Sequence, residues 1–157
     1  MTTKVQQFTV SSTEDLALKW LDRASNAQKA HRTCTKFYYK LNLILGIAST
    51  ILSTIVGTSV FVSLSNNPSS YMQILVGLLS LLAAVISGLM TFLKLSESAI
   101  KHENSSAKYS STCRQIEYSL TSQNSINLDE IKSRLDELAA DCPSIPEFLW
   151  QKSLAQQ

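Results

Sequence analysis

LNLILGIASTILSTIVGTSVFVSLSNNPSSYMQILVGLLSLLAAVISGLMTFL, residues 41–93, holds no Asp, Glu, Lys, Arg or His and is bounded by Lys40 and Lys94. Its two apolar runs, 41–64 and 71–93, each slightly exceed the ~20 residues with which an α-helix crosses a hydrocarbon core of ~30 Å. Between them the linker 65–70 gathers Asn66, Asn67, Ser69 and Ser70 around Pro68, all turn formers. The stretch reads as a transmembrane hairpin whose short outer loop returns the chain to its starting side.

Averages conceal this hairpin. The mean hydropathy of +0.05 and net charge of +2 resemble a soluble protein because the apolar residues are concentrated in one third of the chain. The first forty residues are basic and contain no apolar core, so no cleavable signal peptide is expected. The loop has no basic residue, whereas Lys29, Arg32, Lys36 and Lys40 precede the first run and Lys94, Lys101 and Lys108 follow the second. The positive-inside rule makes this an integral, multi-pass membrane protein with both termini cytoplasmic. On that reducing side Cys34, Cys113 and Cys142 are expected as free thiols.

The apolar rhythm continues beyond the bilayer. Alternating steps of four and three link Trp20, Ala24, Ala27, His31, Cys34 and Tyr38 to Leu41, Leu45, Ala48 and Leu52. The second run gives Ile74, Leu78, Leu81, Val85, Gly88 and Phe92, then Leu95, Ala99, His102, Ser106, Tyr109, Cys113, Ile116 and Leu120, with no proline between them. Ser11 and Glu14 have capping-box spacing and mark the start of the first helix. After a break at residues 125–127, Asn127 caps a helix from about Leu128 to Ala140, with Leu128, Ile131, Leu135 and Leu138 on one face. Pro143 and Pro146 impose an extended connector before a last helix that offers Phe148, Leu149 and Trp150 for docking.

The expected fold is all-α: two long antiparallel helices form a transmembrane hairpin that extends into a cytoplasmic coiled hairpin, with two short C-terminal helices packed on it. Residues 1–11 are expected to be disordered, 12–40 and 94–123 to be the cytoplasmic parts of the two helices, 41–64 and 71–93 to cross the membrane, 65–70 to form the outer loop and 127–157 to hold the C-terminal helices.

His31 and His102 stand at nearly equal distances from Asn67, so they are candidates for a pH-sensitive contact. Two ligands do not define a tetrahedral site, and no metal or other cofactor is expected. Within the bilayer the first run carries a polar stripe from which Asn42, Ser49, Thr50, Ser53 and Gly57 are candidate pore-lining residues. Gly46 on the first run and Gly77, Ser80, Ala84, Ser87 and Gly88 on the second are candidates for helix packing. Lipid does not reward polar exposure, so these stripes should face other helices or water. A single hairpin hides one face of each helix, which argues for a homo-oligomer. Whether the stripe lines a path or only packs stays open at this stage.

No catalytic residues emerge: there is no Gly-rich phosphate loop, no paired acids in a pocket and no nucleophile beside a base. The basic residues lie beside the membrane and alternate with acids, so nucleic acid is not an expected partner. The expected partners are the lipid bilayer, further copies of the chain and an unidentified cytoplasmic protein.

Trp20 and His31 on the first helix, Tyr38 before the apolar run, the segment 50–58 (TILSTIVGT) and the closing 143–146 (PSIP) together resemble the SLATT family of two-transmembrane proteins. The resemblance runs from about Trp20 to Trp150. It implies a membrane-perturbing or pore-forming effector, in bacteria often coupled to nucleotide-sensing partners, with relatives in large DNA viruses and eukaryotic microbes. This chain shows no fused sensor or nuclease domain, which puts gating by a nucleotide in doubt. The resulting expectation is an oligomeric pore or ion-channel-like protein, and the alternative is a non-conducting scaffold that ties a viral or cellular membrane to a protein layer.

Overall fold

The structure, a computed structural model, describes residues 12–65, 69–122 and 127–155, with side chains outside 61–65. Five helices follow in order: α1 (Thr13–Ser65), α2 (Ser70–Leu93), α3 (Leu95–Thr121), α4 (Leu128–Asp141) and α5 (Glu147–Leu154). No strand occurs among the described residues. The prolines at 143 and 146 fall outside these helices, so neither breaks an i→i−4 ladder by its missing N–H. The expected disordered segment 1–11 and the centre of the loop, residues 66–68, lie outside the described residues.

The chain divides into two compact units. A terminal unit comprises the described residues of Met1–Cys34 and Lys101–Gln157, and a hairpin unit comprises Thr35–Ile100. In the terminal unit the expected seam is buried. Ala24, Tyr109, Cys113 and Leu138 form one apolar cluster, while Ala17, Ile116 and Ile131 form another flanked by Trp20, Leu120 and Leu128. α4 thus lays Ile131, Leu135 and Leu138 on α1 and α3, as its four-three spacing requires. Lys108 Nζ donates to Asp141 at 2.9 Å across the exposed rim of α3 and α4. In α5 Leu149 and Ser153 are buried, and of the three expected docking residues Phe148 faces outward, because three consecutive residues at 100° per step cannot share one side.

Two caps settle helix starts. α1 is capped by Ser12, whose Oγ accepts the Asp15 N–H at 3.2 Å, one residue later than the expected Ser11. α4 begins as expected: Asn127 Oδ1 accepts the Glu130 N–H at 3.2 Å. Asn127→Ala leaves that N–H without its partner and should lower the stability of the terminal unit by about 1 kcal/mol. Both tryptophans, Trp20 and Trp150, belong to this unit, so intrinsic fluorescence during denaturation of the solubilised full chain reads the loss selectively.

The hairpin unit departs from expectation at one residue. The second long helix is not continuous: Lys94 stands in the left-handed region (φ 45°, ψ 43°) and separates α2 from α3. A side chain in that conformation costs roughly 1–2 kcal/mol. The break shifts the helical phase, and the expected α2 seam through Ile74, Leu78, Leu81, Val85, Gly88 and Phe92 is exposed. Val76, Leu79, Ala83, Ile86 and Met90 are instead the shielded positions of α2, with Ala83 the buried one. On α1 the expected Leu41, Leu45, Ala48 and Leu52 are half-buried.

Candidate functional site

Once α1 and α2 pair, the candidate pore and packing residues separate into two groups. Ser49 Oγ lies 2.8 Å from Ser87 Oγ, and a Cβ on Gly46 would meet Met90 Cε at 3.5 Å. Ser49, Gly46 and Ser87 therefore belong to contacts within one hairpin, antiparallel as 49 with 87 and 46 with 90 require. A hydroxyl pair of this kind contributes roughly 0.6 kcal/mol in a membrane. Asn42 is half-buried on the same side of α1.

Thr50, Ser53 and Gly57 stay exposed on α1, and Gly77, Ser80, Ala84 and Gly88 stay exposed on α2. A Cβ added at Gly57, Gly77 or Gly88 would meet nothing within 4 Å, so no close approach inside the chain calls for these glycines. The exposed face of α1 includes two hydroxyls the sequence reading did not single out, Thr54 and Thr58, although the four-residue spacing of Thr50, Thr54 and Thr58 was available to it. The Thr50, Thr54 and Thr58 hydroxyls donate to the carbonyls of Gly46, Thr50 and Thr54 at 2.9, 2.8 and 3.0 Å. Each proton is thereby satisfied within its own helix, and oxygen lone pairs are left facing outward.

In the terminal unit His31 and His102 meet. Their Nδ1 atoms are 2.9 Å apart and both residues are only 3% exposed. With both rings neutral, one Nδ1 must carry a proton and donate while the other accepts, so the two imidazoles hold opposite tautomers. Tyr109 stacks on His31 with ring centroids 5.6 Å apart. Burial, and then the charge of His102, lowers the His31 pKa from 6.5 to about 4, and burial lowers that of His102 as well. An unperturbed imidazole pair would take up its first proton near pH 6.5, whereas these buried rings resist it until the medium is more acidic. One turn from His31, the buried Cys34 thiol is pushed up to about 11 by desolvation, and the Cys113 thiol is raised for the same reason. All three cysteines are free. Among the described residues no three His, Cys, Asp or Glu side chains gather as metal ligands.

A sequence model of the SMODS and SLOG-associating 2TM effector domain, family 4, matches residues 15–147. The chain belongs to the SLATT family. No curated protein and no solved structure matches it. As a SLATT protein it is a two-helix membrane protein, and its α1 and α2 are long and apolar enough to cross a bilayer. The SLATT match covers both the histidine pair and the exposed hydroxyl face.

Proposed function

We propose that this SLATT protein is a homo-oligomeric pore or ion-channel-like effector, multi-pass with both termini cytoplasmic, and not an enzyme. The observation that carries the reading is the face of α1 formed by Thr50, Ser53, Thr54 and Gly57, which remains exposed after the hairpin has closed. In hydrocarbon such a face is served by another helix or by water. Several copies packed through the bare Gly77, Ser80, Ala84 and Gly88 face of α2 would turn the hydroxyl face toward a common axis, where its oxygens replace part of an ion's hydration shell. The apolar stretch 41–93 has no fixed charge with which to sense voltage or relay protons.

One observation favours the alternative of a non-conducting scaffold that links the membrane to a protein layer. The threonine hydroxyls already donate to their own helix, a state in which they also pack comfortably against neighbouring chains. Planar-bilayer recording of the purified protein, with its oligomeric mass measured in the same preparation, distinguishes the two. The pore reading expects unitary currents that Ser53→Leu abolishes without changing the mass. An oligomer that never conducts supports the scaffold, and loss of assembly in Ser53→Leu assigns the face to packing. An unidentified cytoplasmic partner would bind the terminal unit in either case.

A further inference from the structure

A groove of about 350 Å³ opens on the hairpin unit between α1 and α2. Gly46 forms its floor against Met90, while Leu43, Ile47 and Ile51 make an apolar wall that Thr50 interrupts, and Asn42 stands at one end. From Asn42 to Ile51 the groove runs roughly 14 Å along α1. Leu43, Ile47 and Ile51 are each about half exposed, so none of the described residues covers them.

The same face of α1 continues upward through Lys40 and Lys36, since steps of four, three, four and four connect Lys36, Lys40, Leu43, Ile47 and Ile51. Both lysines are exposed, and the interfacial Tyr39 beside them is 66% exposed. Among the described residues neither lysine ammonium has an ion pair or hydrogen bond, and the Asn42 carboxamide has no partner either. One helix face thus passes from cations, through an aromatic and a carboxamide, into an apolar trough. That order matches the depth profile of an anionic phospholipid: phosphate, ester region, acyl chain. A second copy offering the same face would set lysines against lysines, so charge favours the lipid.

We propose that this groove is a binding site for one anionic phospholipid, its acyl chain lying over Gly46 between Met90 and Ile47 and its phosphate held by Lys36 and Lys40 beside Asn42. The site depends on the membrane crossing and not on conduction, although it shares Thr50 with the hydroxyl face assigned to the pore.

Native mass spectrometry of the full chain, released from detergent with equimolar dioleoyl phosphatidylglycerol and dioleoyl phosphatidylcholine, tests it. One phosphatidylglycerol per chain should be retained in preference to phosphatidylcholine. The exposed double substitution Lys36→Gln/Lys40→Gln should reduce that preference about 30-fold, as expected for two interfacial lysines. Gly46→Leu, which fills the floor, should abolish retention of both lipids while circular dichroism shows its helices intact. Equal retention of the two lipids by the wild type overturns the proposal. So does an equal loss in Lys29→Gln/Arg32→Gln, which removes the same charge outside this unit, or undiminished retention in a folded Gly46→Leu. A groove filled by a second copy would appear as lipid-free dimers that Gly46→Leu dissociates, and would also overturn it.

Discussion

Acidification from pH 7 to pH 4 should destabilise the terminal unit by on the order of 3 kcal/mol through the His31–His102 pair. An imidazole in the unfolded chain titrates near 6.5, whereas burial holds that of His31 at about 4 when folded. Between these values the unfolded chain takes up a proton that the folded one refuses, so stability falls as pH falls across that window. Above pH 6.5 both states are neutral and the pair makes no pH-dependent contribution. His102 adds in the same direction, because its pKa is lowered too. Tyr109 and Cys34 beside the pair are both pushed toward their neutral forms by burial. The measurement is thermal unfolding of the solubilised full chain at successive pH values, followed by the fluorescence of Trp20 and Trp150. The wild type should lose most of its midpoint between pH 6 and pH 4, and His31→Gln should flatten that branch. An unchanged acid branch in His31→Gln would assign the sensitivity to the carboxylates instead.

Ile116→Ala should cost about 3 kcal/mol, the usual toll when a fully enclosed branched side chain leaves a cavity. Ile116 is 0% exposed and is the residue of α3 that contacts both Ala17 of α1 and Ile131 of α4 in one cluster. Its removal therefore weakens three helices together, and the small Ala17 opposite cannot expand into the space. Denaturant unfolding read by tryptophan fluorescence supplies the figure. Tyr118→Ala, two residues along the same helix at 74% exposure, is the internal control and should change stability by less than about 0.5 kcal/mol. Equal effects at the two positions would mean that the α1–α3–α4 cluster is not the core.

Where polar and apolar residues alternate in kind, the fold could be read directly from the chain. Around Tyr109, Cys113 and Ile116 the intervening Ser, Lys, Glu and Arg leave one apolar face, and that face is the buried one. Asn127 and the Leu128, Ile131, Leu135 and Leu138 spacing were legible for the same reason. Inside the bilayer this contrast disappears. Every face of α2 is uncharged and carries large apolar residues, so the periodicity that suggested Leu81 and Val85 fits Ala83 and Ile86 equally well, and the choice is made by close packing at Ala83 and the Ser49–Ser87 pair. The break at Lys94 had no signal, since Leu93, Lys94 and Leu95 include no Gly, Asn or Pro to announce a left-handed residue. The meeting of the two histidines followed from counting outward from the turn. The capture of Ser49 and Gly46 within the hairpin did not, because a small polar residue on an apolar helix serves a neighbour in the same chain or in another with the same pattern.

The left-handed Lys94 gives residues 70–93 and the start of α3 separate rulers. A heptad frame that places Leu95 and Ala99 inward, carried back across residue 94, turns Phe92, Gly88 and Val85 inward and Met90, Ile86 and Ala83 outward, the reverse of what the hairpin does. Chimeras that join the membrane segment of one SLATT protein to the aqueous segment of another must therefore be spliced with their own junction residue kept in place. A seam matched by counting sevens would fuse two correct halves out of phase.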